Sequence, residues 1–171
     1  MIISDKLKIK ELKTSDVSKK YVSWLNNKNI NKYIEARFTK HTIKSQKKYI
    51  LALNKSKNDI IFGIFTKQNI HIGNVKIGPI NFIHKFTEIS YLIGDKKYQR
   101  KGYSFEAISL IENYIFNKLK IKKITAGVYS NNFASIKLLK KLGFKKEGVK
   151  ISQCIFNRRR IDVFSFYKTK K

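Results

Sequence analysis

In "KLKIKEL", residues 6–12, apolar and polar positions alternate, the period of a strand with one buried face. The period then lengthens. "TSDVSKKYVSWLNNKN" opens on capping residues and brings Val17, Tyr21, Trp24 and Leu25 to one helical face before turn-forming asparagines. "NINKYIEARF" predicts a short second helix, and "HTIKSQKKYILALNKSKN" a longer one capped by Thr42. Three β-rich stretches follow, "DIIFGIFT", "IHIGNVKIGPI" and "TEISYLIG", separated by turn residues. They predict an antiparallel meander, with Pro79 ending or bulging its strand.

From residue 102 the period is helical again, with Phe105, Ile108, Ile111 and Ile115 on one face. "KKITAGVY" reads as the next strand and "NNFASIKLLKKLGF" as an amphipathic helix stopped by Gly143. "KEGVKISQCIF" and "RRRIDVFSFYK" read as a closing hairpin. This order predicts a single α/β domain over residues 1–171, a mixed, mostly antiparallel sheet of about seven strands flanked by helices.

Composition changes the picture in one respect. Hydrophobic residues at 42% exclude a disordered chain, but the net charge of +27 raises the question of an anionic partner. Only five of the 38 basic residues are arginines, and the lysines are spread along nearly every segment, which describes a solvated surface more than a nucleic-acid reader. No strand carries the paired stacking aromatics of an RNA-binding module, the competing class. Cys154 stands alone, so no internal disulfide is expected, and His41, His71 and His84 lack metal-ligand spacing, so no metal is expected. No window approaches the roughly 20 apolar residues of a membrane span and no signal peptide is evident, which makes the cytoplasm the expected compartment.

The candidate chemistry begins at "YQRKGYSFEA", residues 98–107. A strand, a short basic loop and a helix N-terminus aim unpaired N–H groups and the positive end of the helix dipole at one point, which suits a phosphate or pyrophosphate. Gly102 permits close approach to the backbone there. The spacing Gln99-x-x-Gly102-x-Ser104 resembles the Gln/Arg-x-x-Gly-x-Gly/Ala pyrophosphate loop of the Gcn5-related N-acetyltransferases (GNAT), with Ser104 where glycine or alanine is commoner. Asn132-x-x-Ser135-x-x-Leu138-Leu139-x-Lys141-Leu142-Gly143-Phe144 is similar to the branch containing ribosomal-protein N-terminal acetyltransferases. The resemblance covers nearly the whole chain.

That resemblance implies the GNAT fold and acetyl-CoA as acetyl donor, held in a V-shaped gap where "TEISYLIG" splays from "KITAGVY". Leu92 and Ile93 would pair with the pantetheine arm, and Gln99, Arg100, Lys101, Gly102, Tyr103 and Ser104 would hold the pyrophosphate, with Asn132 and Ser135 also on the cofactor side. A base must deprotonate the attacking amine, and the leaving thiolate gains from a donor. Many relatives supply a tyrosine as donor where this chain has Leu139; the candidates here are Glu88 as base and Ser135 as donor.

For the acceptor, the stretch before "TEISYLIG" and the ending "RRRIDVFSFYK" look like acetyltransferases of nucleotide-linked 4-amino sugars, including the pseudaminic acid route. Tyr33, Arg37, His84 and Arg159 are the candidate acceptor-binding residues of such an anionic small molecule, and a homodimer is compatible with the reading. The alternative is a protein N-terminal acetyltransferase of the ribosomal type. Polyamines are disfavoured as acceptors, because a +27 surface repels polycations.

Overall fold

The computed structural model describes residues 1–170. Its spine is one eight-stranded sheet in the order β1-β2-β3-β4-β5-β6-β8-β7. The strands are β1 (Ile2–Ile3), β2 (Leu7–Glu11), β3 (Ile60–Thr66), β4 (His71–Asn81), β5 (Phe86–Ile93), β6 (Lys123–Tyr129), β7 (Lys145–Phe156) and β8 (Arg159–Thr169). The strand beyond the expected seven is β1, too short for two isoleucines to show an alternation. The β3-β4-β5 meander is antiparallel as expected, and the register slips between Ile77 and Ile80, which is the bulge that Pro79 permits. The closing hairpin folds back so that β8, not β7, lies against β6.

Five helices cover the two faces. α1 (Lys19–Asn26) starts at Ser18, whose side chain accepts from the Tyr21 N–H, and α3 (Ile43–Lys55) starts at Thr42 in a capping box with Ser45. The stretch expected to hold one short helix contains α2 (Lys28–Asn31) and a separate 3₁₀ turn over Glu35–Phe38. α4 (Tyr103–Asn113) runs on into a π turn over Tyr114–Lys118, and α5 is Phe133–Lys141.

Two cores result. Ile108 and Ile111 of α4, Ile115 of the π turn and Leu139 of α5, all completely buried, pack on one sheet face. On the other, Tyr21, Trp24 and Leu25 of α1 pack with Ile50 of α3 and Ile61 and Phe65 of β3. Trp24 is therefore a core residue, pressed so tightly on the end of β5 that a Cβ at Gly94 would lie 2.0 Å from its ring. Among the described residues, no helix is long and apolar enough to cross a membrane.

Candidate active site

The sheet's pairing breaks off between β5 and β6. β5 and β6 run parallel and pair only from Phe86↔Lys123 to Glu88↔Thr125. On its other edge β5 stays bound to β4 as far as Gly73↔Ile93, and β6 stays bound to β8 as far as Tyr129↔Val163. Beyond Glu88 the strands splay, leaving two facing edges open to a strand-like ligand. Ile93 lies five positions beyond Glu88, about 17 Å of extended chain. This gap opens into a cleft of about 970 Å³ lined by Leu92, Tyr91, Ser90 and Glu88 of β5 and by Gly127 and Tyr129 of β6.

At the wide end lies the basic loop. Asp95 accepts from the Lys97 N–H and pairs with Lys20 at 2.6 Å, which pins the loop's start to α1. Gln99 departs from its expected role: its N–H donates to the Lys96 carbonyl at 3.2 Å and its side-chain amide to the Ile93 carbonyl at 2.8 Å. It shapes the loop and offers no amide, and the Ile93 carbonyl is engaged with it. From Arg100 to Phe105, by contrast, no backbone N–H has an acceptor among the described residues. Arg100 and Gly102 both have positive φ, 58° and 85°, which curls successive N–H groups toward one side in an anion-binding nest. A Cβ on Gly102 would meet nothing within 4 Å, so glycine is required there for its φ and the space above it is open. The exposed side chains of Arg100 and Lys101 and the half-buried Tyr103 and Ser104 frame that space. The free Phe105 amide escapes the spacing motif, although it belongs to the same orphan set at the helix start.

Of the candidate catalytic groups, Glu88 stands at the narrow end, whereas Ser135 is not among the cleft's lining residues. Glu88 is exposed, at the last paired register, and its Oε1 lies 3.8 Å from where a Gly127 Cβ would be, so glycine there leaves the carboxylate room over β6. Ser135, half-buried, sits in the first turn of α5, where the Asn132 side chain caps its N–H at 3.3 Å. Asn132 is thus a helix cap with its carbonyl oxygen engaged. Leu139, by contrast, is fully buried in the core. Tyr91, not foreseen from the sequence, lines the cleft with a buried hydroxyl that has no hydrogen-bond partner among the described residues. Burial pushes its phenol up, while the neighbouring Ser135 hydroxyl pulls it down.

The acceptor side is only partly as expected. Tyr33 lines the cleft, stacked on Phe156 with centroids 5.4 Å apart, its hydroxyl donating to the Asn131 carbonyl. Arg37 lies behind this wall: its guanidinium donates to the Lys32 and Ile155 carbonyls at 2.6 and 3.0 Å and covers the Tyr129 ring. It buttresses aromatic residues and is not among the lining groups. His84 belongs to the exposed turn at 82–85 and Arg159 to the outer end of the closing hairpin, both outside the cleft lining. A residue's distance in sequence from a motif says nothing about which way its strand end points. In their place the cleft presents Lys40, Lys76 and Lys150, with Glu35 and Glu88 as its carboxylates. Glu35 accepts from the Tyr129 hydroxyl, and Lys76 pairs with Asp59 at 2.6 Å, whereas Lys40 and Lys150 have no ion-pair partner among the described residues. Burial, then the bond to Glu35, pushes the Tyr129 phenol well up.

Residues 6–145 match the model of the acetyltransferase (GNAT) domain. The chain belongs to the GNAT acetyltransferase family. Uncharacterized N-acetyltransferase YnaD of Bacillus subtilis is 30% identical over 158 residues, which are 90% of this chain and 87% of that protein. Probable N-acetyltransferase YjcK of the same organism is 34% identical over 114 residues, 64% of this chain but only 62% of the relative's length. The fold agrees closely with the spermidine N-acetyltransferase of Vibrio cholerae solved with CoA and spermine, at a TM-score of 0.88 over 97% of this chain and 96% of that one, with 24% identity. GNAT membership makes the protein an N-acetyltransferase with acetyl-CoA as donor. The acceptor named among these relatives is spermidine, which differs from the nucleotide-sugar and ribosomal-protein likenesses in the sequence.

Proposed function

We propose that the protein transfers the acetyl group of acetyl-CoA to the primary amine of a small acceptor that also carries an anionic group, a nucleotide-linked amino-deoxy sugar being the form that fits best. The observation that carries this reading is the charge of the cleft, in which Lys40 and Lys150 lack ion-pair partners among the described residues and Glu35 already accepts from the Tyr129 hydroxyl. A polyamine would bring several positive charges to a wall whose two carboxylates are Glu35, already accepting from Tyr129, and Glu88, and would meet those lysines. An anionic acceptor meets the lysines favourably and brings its single amine to Glu88.

In this reading the N–H groups from Arg100 to Phe105 hold the pyrophosphate, and the open edges of β5 and β6 pair with the pantetheine. Glu88 removes a proton from the acceptor's ammonium, directly or through water, so that the nitrogen lone pair is free to attack. Ser135 donates a hydrogen bond to the sulfur as negative charge develops on it. Such an enzyme belongs in the cytoplasm, with its donor, and the same reading includes a homodimer, which light scattering tests.

Spermidine acetylation is the second reading, favoured by the names of the structural neighbours. Incubation of the purified protein with acetyl-CoA and a panel of UDP- and dTDP-linked amino sugars, spermidine and spermine, followed by CoA release and product mass, separates the two. An acetylated sugar nucleotide supports the first, and mass gain on the polyamines alone replaces it with the second.

A further inference from the structure

Asn74 of β4 is a polar side chain that the proposed chemistry leaves unused. It lines the cleft although only 7% exposed, and its Oδ1 lies 2.8 Å from His71 Nε2. The same ring nitrogen lies 3.0 Å from the Gly73 carbonyl, which can only accept, so the proton of His71 sits on Nε2. His71 Nδ1, buried and without a partner among the described residues, offers nothing to hold a proton there instead. The tautomer fixes the amide: an oxygen must face the Nε2–H, and the Asn74 N–H2 must point away from it. That N–H2 has no acceptor among the described residues and is not enclosed by protein, so it is presented to the cleft. The ring that sets it is held on three sides, stacked on Phe65 with centroids 4.7 Å apart and edge-on to Tyr21 and Trp24.

We propose that Asn74 is a specificity-determining residue for the acceptor, its side-chain N–H2 donating to an uncharged carbonyl or hydroxyl oxygen of that molecule. This rests on the reading of the acceptor as an anionic, oxygen-bearing amine, and adds what its uncharged part must offer. Asn74 pairs with Leu92 on the edge of β5 opposite the gap that faces β6, so its donor meets the acceptor and leaves the pantetheine to the open edge. Leu92 lies four positions beyond Glu88, which sets Asn74 one strand over and roughly 14 Å from the base, within reach of a sugar joined to a nucleotide. Lys76, two positions along β4, has its charge engaged by Asp59, so this part of the wall selects by hydrogen bonding more than by charge. A sugar nucleotide is rich in oxygens that accept. A protonated polyamine offers only donors. Facing the Asn74 N–H2 it leaves both sides unpaired, and His71 blocks the turn of the amide that would relieve the conflict.

Asn74→Leu removes the donor within a side chain of the same shape. Asn74→Asp keeps the oxygen that His71 bonds and replaces the N–H2 with a carboxylate oxygen, which accepts. Thermal unfolding and a CoA titration verify that each variant is folded and binds the donor. On whichever UDP- or dTDP-linked amino-deoxy sugar the wild type acetylates, Asn74→Leu is expected to raise KM about 2- to 12-fold with kcat within twofold, the worth of one neutral hydrogen bond used for binding alone. Asn74→Asp is expected to raise KM further, since two acceptors then face each other. A KM unchanged in Asn74→Leu, or a fall in kcat or CoA affinity at unchanged KM, overturns the part given to Asn74 while leaving the anionic-acceptor reading in place. A wild type that acetylates spermidine or spermine alone overturns that reading, and the role of Asn74 with it.

Discussion

Replacing Gly102 with alanine separates two demands that the loop ahead of α4 places on one residue. Gly102 has φ of 85°, and an added Cβ would meet nothing within 4 Å. The cost to folding is therefore backbone strain alone, about 1–2 kcal/mol for a side chain in the left-handed region. For a chain of this length that lowers the melting temperature by roughly 2–8 °C. The cost to cofactor binding comes from the same methyl group standing in the open space over the free amides. If it displaces the pyrophosphate from one charge-assisted hydrogen bond, about 1.5–3 kcal/mol is lost, which weakens CoA binding roughly 10- to 150-fold. Gly148→Ala is the matched control, since its Cβ also meets nothing within 4 Å but its φ is ordinary and it lies on β7. Calorimetric unfolding reads the first effect and isothermal titration with CoA the second. Gly102→Ala that loses stability as calculated but binds CoA with unchanged affinity would refute the placement of the pyrophosphate on this loop.

Glu88→Gln should lower turnover about 10²-fold while CoA affinity stays within twofold, as loss of a general base requires; steady-state kinetics beside a CoA titration check it, and a fully active variant removes Glu88 from the mechanism. Lys150→Ala should raise the KM for an anionic acceptor severalfold, through one lost charge-assisted contact, with kcat unchanged. Replacing Arg159 with alanine should leave that KM within twofold, because the residue lies outside the cleft lining. His71 gives a pH effect on stability. Burial lowers its pKa from 6.5, only partly offset by bonds from Nε2 to Asn74 and Gly73, so the folded state favours the neutral ring. The unfolded chain then takes up the proton first, so this contribution is present above pH 6.5 and is lost as pH falls through the lowered folded value. Melting temperatures measured between pH 7.5 and about 5 should fall more steeply in the wild type than in His71→Gln; parallel curves would exclude the histidine as the cause.

Periodicity carried most of the fold, because the helices and strands here bury one face each and say so in their spacing. Val17, Tyr21, Trp24 and Leu25 did reach one core, and Thr42 did cap a helix. The run of unpaired amides ahead of α4 was legible for a related reason: orphan amides at a helix start are a local property of a glycine and the residues around it. Gln99 shows where local reading stops. Its motif position is right, but what it does is set by the Ile93 carbonyl six residues away, a partner no spacing rule names. Arg37 is a stronger case, since its hydrogen bond to Ile155 spans 118 positions and exists only because the closing hairpin returns to the 3₁₀ turn that carries it. Tyr91 was hidden differently. A tyrosine in a β-rich run is an ordinary strand residue, and only the absence of a partner for its buried hydroxyl marks it out. The cleft's lysines were concealed by abundance, with Lys40, Lys76 and Lys150 indistinguishable in sequence from 30 others.

The central claim is that this cleft takes an amine with an anionic group in preference to a polycation. It is tested most directly by kcat/KM for a UDP-linked amino-deoxy sugar and for spermidine on the same preparation, at one pH and one ionic strength. The account predicts a ratio of at least about tenfold in favour of the sugar nucleotide, one charge-assisted contact's worth, narrowing as salt is raised. A ratio in favour of spermidine would contradict it.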